Sequence, residues 1–132
     1  MPLVHGFFRD ETPHFKVKVW GSDRQSALEF EAVMDTGFNG FLMMPHVHAL
    51  QIGLTGRTTT DLIFPDGSKR TGLMAEGQAA LDHRVEAGLI IVDEACTEVL
   101  AGMPFLRAFD LTLVLNSNLF VMMDTPEVGA GR

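Results

Sequence analysis

Apolar and polar residues alternate over residues 14–19, with Phe15, Val17 and Val19 on one side and His14, Lys16 and Lys18 on the other. A period of two is that of a strand with one buried face. The alternation returns over 27–34, where Leu28, Phe30, Ala32 and Met34 oppose Glu29 and Glu31. Gly21-Ser22-Asp23-Arg24 between the two segments reads as a turn. The pattern predicts a β-hairpin that runs directly into Asp35. After Asp35-Thr36-Gly37 a further short apolar strand is predicted over 40–44.

Pro45 is suited to open a short helix, and Gly53 to end it. Thr58 to Phe64 is β-branched and apolar enough for a strand. Pro65-Asp66-Gly67-Ser68 is a turn, with proline setting φ and glycine supplying a positive one. Residues 69–81 return as the second arm of a long hairpin with a polar tip. Another strand is predicted over 84–92, where Leu89-Ile90-Ile91-Val92 is continuous enough to be buried on both faces. A strand over 98–101 stops at Gly102, and Pro104 starts a short helix carrying Phe105, Leu106 and Phe109 at helical spacing. Strands over 111–115 and 119–123 flank the turn Asn116-Ser117-Asn118. About eight strands and two short helices predict an all-β domain, a closed or sandwich-like barrel. It spans residues 1–124, and 125–132 reads as a flexible tail.

Composition narrows the function classes. The 132 residues suffice for one domain with a single core. Ten basic against 17 acidic residues give a net charge of −7, which disfavours a phosphate-binding surface and hence a nucleic-acid partner. The single cysteine, Cys96, excludes an intramolecular disulfide. The first residues carry neither a basic segment nor an unbroken apolar run, and no later stretch approaches the length of a transmembrane helix. The expectation is a soluble cytoplasmic protein with no membrane partner. His46 and His48 are the one pair close enough to suggest a metal. At i and i+2 they do not face each other on a helix, and no further ligand lies nearby. Neither a metal nor another cofactor is expected.

Asp35 is the candidate for chemistry. An apolar run leads into Asp35-Thr36-Gly37, so the acid sits where a strand leaves its own ladder. It is either a turn-former or a positioned carboxylate, and the tripeptide alone favours the turn. Asp124-Thr125 repeats the first two residues, but Pro126 follows and no apolar run succeeds it. Hydrolysis by aspartates needs two carboxyl groups that share one proton, one activating water and the other hydrogen-bonding the carbonyl oxygen. This chain offers one suitable aspartate. Two copies would have to meet with Asp35 against Asp35 across a two-fold axis. The long hairpin at mid-chain is likewise either an ordinary surface hairpin or a flap over a cleft.

Three features in order resemble the retropepsin-like (retroviral-type) aspartic proteases, and in particular their small single-domain bacterial and archaeal members. They are Ala32-Val33-Met34-Asp35-Thr36-Gly37, the hairpin over 61–72, and Val99-Leu100-Ala101-Gly102 followed by a short helix. The resemblance covers about residues 12–123. It implies a single-lobe closed β-barrel with a flap, acting as a homodimeric endopeptidase on peptide or protein substrates. Asp35 would be catalytic, Thr36 would bond across the dimer axis, and Gly37 would lend its N–H to the carboxylate. Phe64, Pro65, Asp66, Gly67 and Ser68 would form the flap tip. Leu100, Ala101 and Gly102 would support the loop from beneath, with Gly102 allowing close packing. Residues 3–7 and 119–123, apolar and otherwise unpaired, would meet the partner subunit. Met34, Phe38, Phe41 and Ile63 would supply apolar pocket walls. Phe38 is bulky where viral members carry alanine, and the tip is Pro65-Asp66-Gly67-Ser68 rather than glycine-rich. Ala101 reads either as an extra residue before Gly102 or as part of the triplet Leu100-Ala101-Gly102. The alternative is a catalytically weak dimer of the same fold that binds peptides or serves as a dimerisation module. A plain all-β domain in which Asp35 is only a turn is the third reading.

Overall fold

The computed structural model describes residues 3–21, 27–54 and 58–125. The predicted turn at 21–24 therefore lies largely outside the described residues, as do residues 126–132 of the expected tail. The strands are β1 (Leu3–His5), β2 (Phe7–Arg9), β3 (Thr12–Gly21), β4 (Leu28–Met34), β5 (Leu42–Met44), β6 (Thr58–Ile63), β7 (Lys69–Leu81), β8 (Arg84–Val92), β9 (Val99–Ala101), β10 (Leu111–Leu115) and β11 (Phe120–Asp124). The helices are α1 (His46–Gln51) and α2 (Met103–Ala108).

The larger sheet runs in the order β2-β3-β4-β9-β5-β8-β7-β6, and a further pairing of β3 with β7 closes its central strands into a six-stranded barrel. That closing seam runs from Lys18 opposite Ala80 to Gly21 opposite Gly77. Two pairings are parallel, β4 with β9 and β5 with β8. β9 is held between β4 and β5, and because it runs parallel to β4 the chain leaving it at Gly102 emerges beside the exit of β4. A separate sheet of order β1-β11-β10 covers one side of the core.

The alternation in β3 is realised over 15–19, where Phe15, Val17 and Val19 are buried while Lys16 and Lys18 are exposed; His14, expected on the polar side, is buried and stacks on Phe7. An aromatic cluster forms the centre of the core. The Phe105 ring of α2 lies 5.5 Å from Phe15, 5.3 Å from Phe41 and 4.8 Å from Phe109. Tilted rings at such separations add specific packing to the area they bury.

Three further expectations are corrected. The described residues hold eleven strands rather than about eight: the first nine residues add two, and the last strand runs over 120–124 rather than 119–123. Leu89 is 49 % exposed, although the run to Val92 was expected to be buried on both faces. β5 flanks β8 only from Ile90 onward, so Leu89 lies beyond its neighbour's end. At the start of the expected tail the Thr125 N–H donates to the Asp110 carbonyl at 3.1 Å. Finally, residues 120–124 are not an unpaired edge. β11 is the middle strand of its sheet, with β1 on one side and β10 on the other.

Candidate active site

Asp35 stands at the end of β4, immediately after Met34 pairs with Ala101 of β9. Its N–H donates to the Ala101 carbonyl at 2.9 Å, so the last ladder bond of β4 fixes the backbone that carries the acid. The loop then closes on itself. The Gly37 N–H donates to Asp35 Oδ1 at 3.0 Å, and the Phe38 N–H donates to the Asp35 carbonyl at 3.1 Å. A second layer of bonds ties the loop to the start of α2: the Met103 N–H reaches the Phe38 carbonyl at 3.1 Å.

Gly102 lies beneath this loop. A Cβ there would collide with the carbonyl oxygens of Phe38 and Gly40, both backbone atoms that cannot swing aside. Glycine is required because two stretches of main chain touch. Gly37 is different. It has no positive φ, and a Cβ on it would meet only Asp35 Oδ1 at 3.4 Å. Within one chain, neither tight turning nor crowding demands a glycine at position 37.

Asp35 opens onto a cleft of about 500 Å³. Gly37, Phe38, Asn39 and Met43 line it beside the acid, the arm from Thr60 to Pro65 covers it, and Ile91 and Leu100 close it. Of the residues singled out in the sequence, the fold brings together Asp35, Gly37, Phe38, Ile63, Phe64, Pro65 and Leu100. Thr36 is exposed outside the lining. Asp66, Gly67 and Ser68 form the exposed tip beyond it, while Ala101 and Gly102 are buried below. Met34 and Phe41 do not reach the cleft; both are buried in the core. Met34 shares its strand face with Phe30 and Ala32, which point inward. Met43, Thr60, Leu62 and Ile91 are lining residues that sequence reasoning missed. For Met43 a signal existed: its neighbours Leu42 and Met44 are fully buried, and alternation turns Met43 to the opposite side.

The hairpin tip is tightly bonded. The Phe64 N–H donates to the Ser68 carbonyl at 2.9 Å, and the Gly67 N–H to the Phe64 carbonyl at 2.8 Å. Gly67 has φ +85°, which a side chain would strain. The Asp66 carboxyl is held below the usual carboxylate range, chiefly by hydrogen bonding to the Ser68 side chain and then to its N–H.

A smaller cavity of about 240 Å³ adjoins the cleft, sharing Met43, Phe64 and Leu100 and lined also by Cys96. The Cys96 thiol donates to the Glu98 carbonyl at 2.7 Å, and burial pushes its pKa up. Thiolate formation is thereby disfavoured. His46 is exposed, and His48 Nδ1 lies 3.1 Å from Gln51 Oε1. Among the described residues no group of three His, Cys, Asp or Glu side chains is placed to hold a metal ion, and no helix is long and apolar enough to cross a membrane.

No family model matches the chain, and no curated protein matches it. Solved structures do. A retropepsin-like aspartic protease from Rickettsia conorii superposes with a TM-score of 0.62 at 14 % identity, covering 92 % of this chain and 91 % of its own. The EIAV protease, solved with the inhibitor HBY-793, superposes with a TM-score of 0.63 at 16 % identity, covering 83 % of this chain and 98 % of its own. At such low identity the likeness speaks to architecture. The chain has the retropepsin-like fold.

Proposed function

We propose that this chain, with its retropepsin-like fold, is an aspartic endopeptidase that works as a homodimer, Asp35 of each copy forming the catalytic pair. The observation that carries this reading is the setting of Asp35. A carboxylate held by the Gly37 N–H faces an apolar cleft roofed by a hairpin. The fold likeness to two proteases supports the same class of chemistry.

One carboxylate cannot act as acid and base at once. With two copies, the closely spaced carboxyl groups hold one proton between them, because both cannot ionise together. The ionised group takes a proton from water, which attacks the peptide carbonyl. The protonated group donates a hydrogen bond to the carbonyl oxygen, where negative charge develops. The Gly37 N–H keeps Oδ1 oriented throughout. The substrate lies extended between the active-site loop and the hairpin. β6 ends the larger sheet, and its outer edge can hydrogen-bond an extended peptide while alternate side chains enter the apolar cleft.

The test is cleavage of a diverse peptide library from acid to neutral pH, wild type beside Asp35→Asn. Wild-type cleavage on the acid side, absent from a variant that still folds and associates, is the expected result. Equal cleavage by both proteins overturns the mechanism.

A further inference from the structure

The catalytic pair requires a second copy, yet the two terminal strands already satisfy each other within one chain. β11 is bonded on both sides, by β1 and by β10. Among the described residues the small sheet therefore has two free edges, the outer side of β1 and the outer side of β10. We propose that the second copy docks on β10, so that two β10 strands pair antiparallel about a two-fold axis at Leu113 and two small sheets become one of six strands. This inference rests on the dimer reading above and names the surface that builds it.

Four observations favour β10. It is the longer edge, five residues against three in β1, and so offers more unpaired N–H and C=O groups. Its sequence, Leu111-Thr112-Leu113-Val114-Leu115, contains no charge and no proline, the devices by which sheet edges are normally protected from pairing. Val114 and Leu115, with Leu119 in the adjoining turn, are each about 40 % exposed on a strand whose inner face is packed. The fourth observation is electrostatic. Each copy carries a net charge of −7, so self-association needs a patch where like charges do not meet.

Pairing centred on Leu113 meets that condition. It sets Leu111 opposite Leu115 and Thr112 opposite Val114 of the second copy. One step further out it sets Asp110 opposite Asn116, a carboxylate against an amide. The Asn116 Oδ1 already accepts the Asn118 N–H at 2.8 Å, which leaves the amide NH₂ to donate. An isologous dimer has a single axis. In this proposal the axis through Leu113 is therefore the same one that relates the two Asp35 carboxylates, so the interface and the catalytic pair are tested against each other.

Thr112 and Val114 share the outer face of β10 and take no part in the catalytic site, so they allow the register to be read. In Thr112→Lys/Val114→Lys each new cation faces the other position's cation across the axis. In Thr112→Lys/Val114→Glu each introduced charge faces its opposite. Sedimentation of the full chain measures association, far-UV circular dichroism checks folding, and peptide cleavage is assayed separately. The expected result is a dimer weakened more than about a hundredfold in the double-lysine variant and restored in the charge-paired one. Restoration also shows that substitutions at these positions are compatible with folding. A dimer indifferent to both variants, or a wild-type chain that stays monomeric at every concentration, overturns the β10 interface. If assembly follows the charges while cleavage does not, the interface stands and the shared catalytic pair falls.

Discussion

The Arg70 guanidinium grips the buried carboxylate of Asp93, Nη2 to Oδ2 at 2.6 Å and Nε to Oδ1 at 3.3 Å. The same guanidinium lies 4.0 Å from the centre of the Phe64 ring. One side chain therefore joins the returning arm of the hairpin, the end of β8 and the base of the tip. Asp93 is nearly inaccessible to water, so removing its cation leaves a buried charge with little compensation. Arg70→Gln is expected to lower the melting temperature and speed amide exchange through residues 62–70. Arg70→Gln/Asp93→Asn, which removes both charges, is expected to recover part of the loss. A double variant less stable than either single one contradicts this account.

Phe105 carries the active-site loop from below, since α2 follows Gly102 directly and its ring meets Phe15, Phe41 and Phe109. It is fully buried. Phe105→Ala is expected to cost about 3–5 kcal/mol in denaturant unfolding. For a domain of this size that corresponds to a melting temperature lower by about 10 °C or more. A loss below about 1 kcal/mol would mean that the cluster contributes little beyond ordinary contact.

The barrel strands were legible because their signals are local. Alternation marked β3 and β4, and the turn at Pro65-Asp66-Gly67-Ser68 separated β6 from β7 at nearly the observed residues. The opening hairpin was not legible. Asp10 and Glu11, at φ 50° and 66°, make its turn without the glycine or asparagine that usually announces positive φ. At the candidate site, Asp35 and Gly37 could be read from the tripeptide. Leu62 and Ile91 could not, because they reach the cleft through strand pairings far apart in sequence. The direction of Met34 and Phe41 depended on which face of each strand the closed barrel turns inward. The pairing of β11 on both edges was equally invisible, since it requires β1 and β10 to meet the same strand.

The hairpin tip provides a pH test. Its Asp66 carboxyl is held low chiefly by the Ser68 side chain and also by the Ser68 N–H at 2.8 Å. A carboxyl whose folded pKa is depressed contributes stability above its ordinary value, near pH 4, and loses that contribution as pH falls through the lowered one. The tip is therefore expected to keep its structure in mild acid, where the proposed catalysis operates, and to loosen only in strong acid. Amide exchange at Gly67 and Ser68 followed against pH is the measurement. Asp66→Ala should show fast exchange at every pH, and a wild-type tip that loosens already near neutrality would contradict the assignment.

The two glycines of the active-site region separate structure from catalysis. At Gly102 a methyl group meets the backbone carbonyls of Phe38 and Gly40, so the loop carrying Asp35 would have to lift. Gly102→Ala is expected to cost about 3 kcal/mol, at the upper end for overpacking, and to abolish cleavage through the damaged loop. At Gly37 the same methyl fits, with Asp35 Oδ1 at an ordinary 3.4 Å. Gly37→Ala is therefore expected to change stability by no more than about 0.5 kcal/mol. Position 37 nevertheless lines the cleft beside the carboxylate, where, in the proposed mechanism, a methyl would displace the substrate from the attacking water. A fall in kcat/KM of roughly tenfold or more at unchanged melting temperature is the expected outcome. If Gly37→Ala instead unfolds the protein, glycine at that position serves the fold or the dimer rather than the substrate floor.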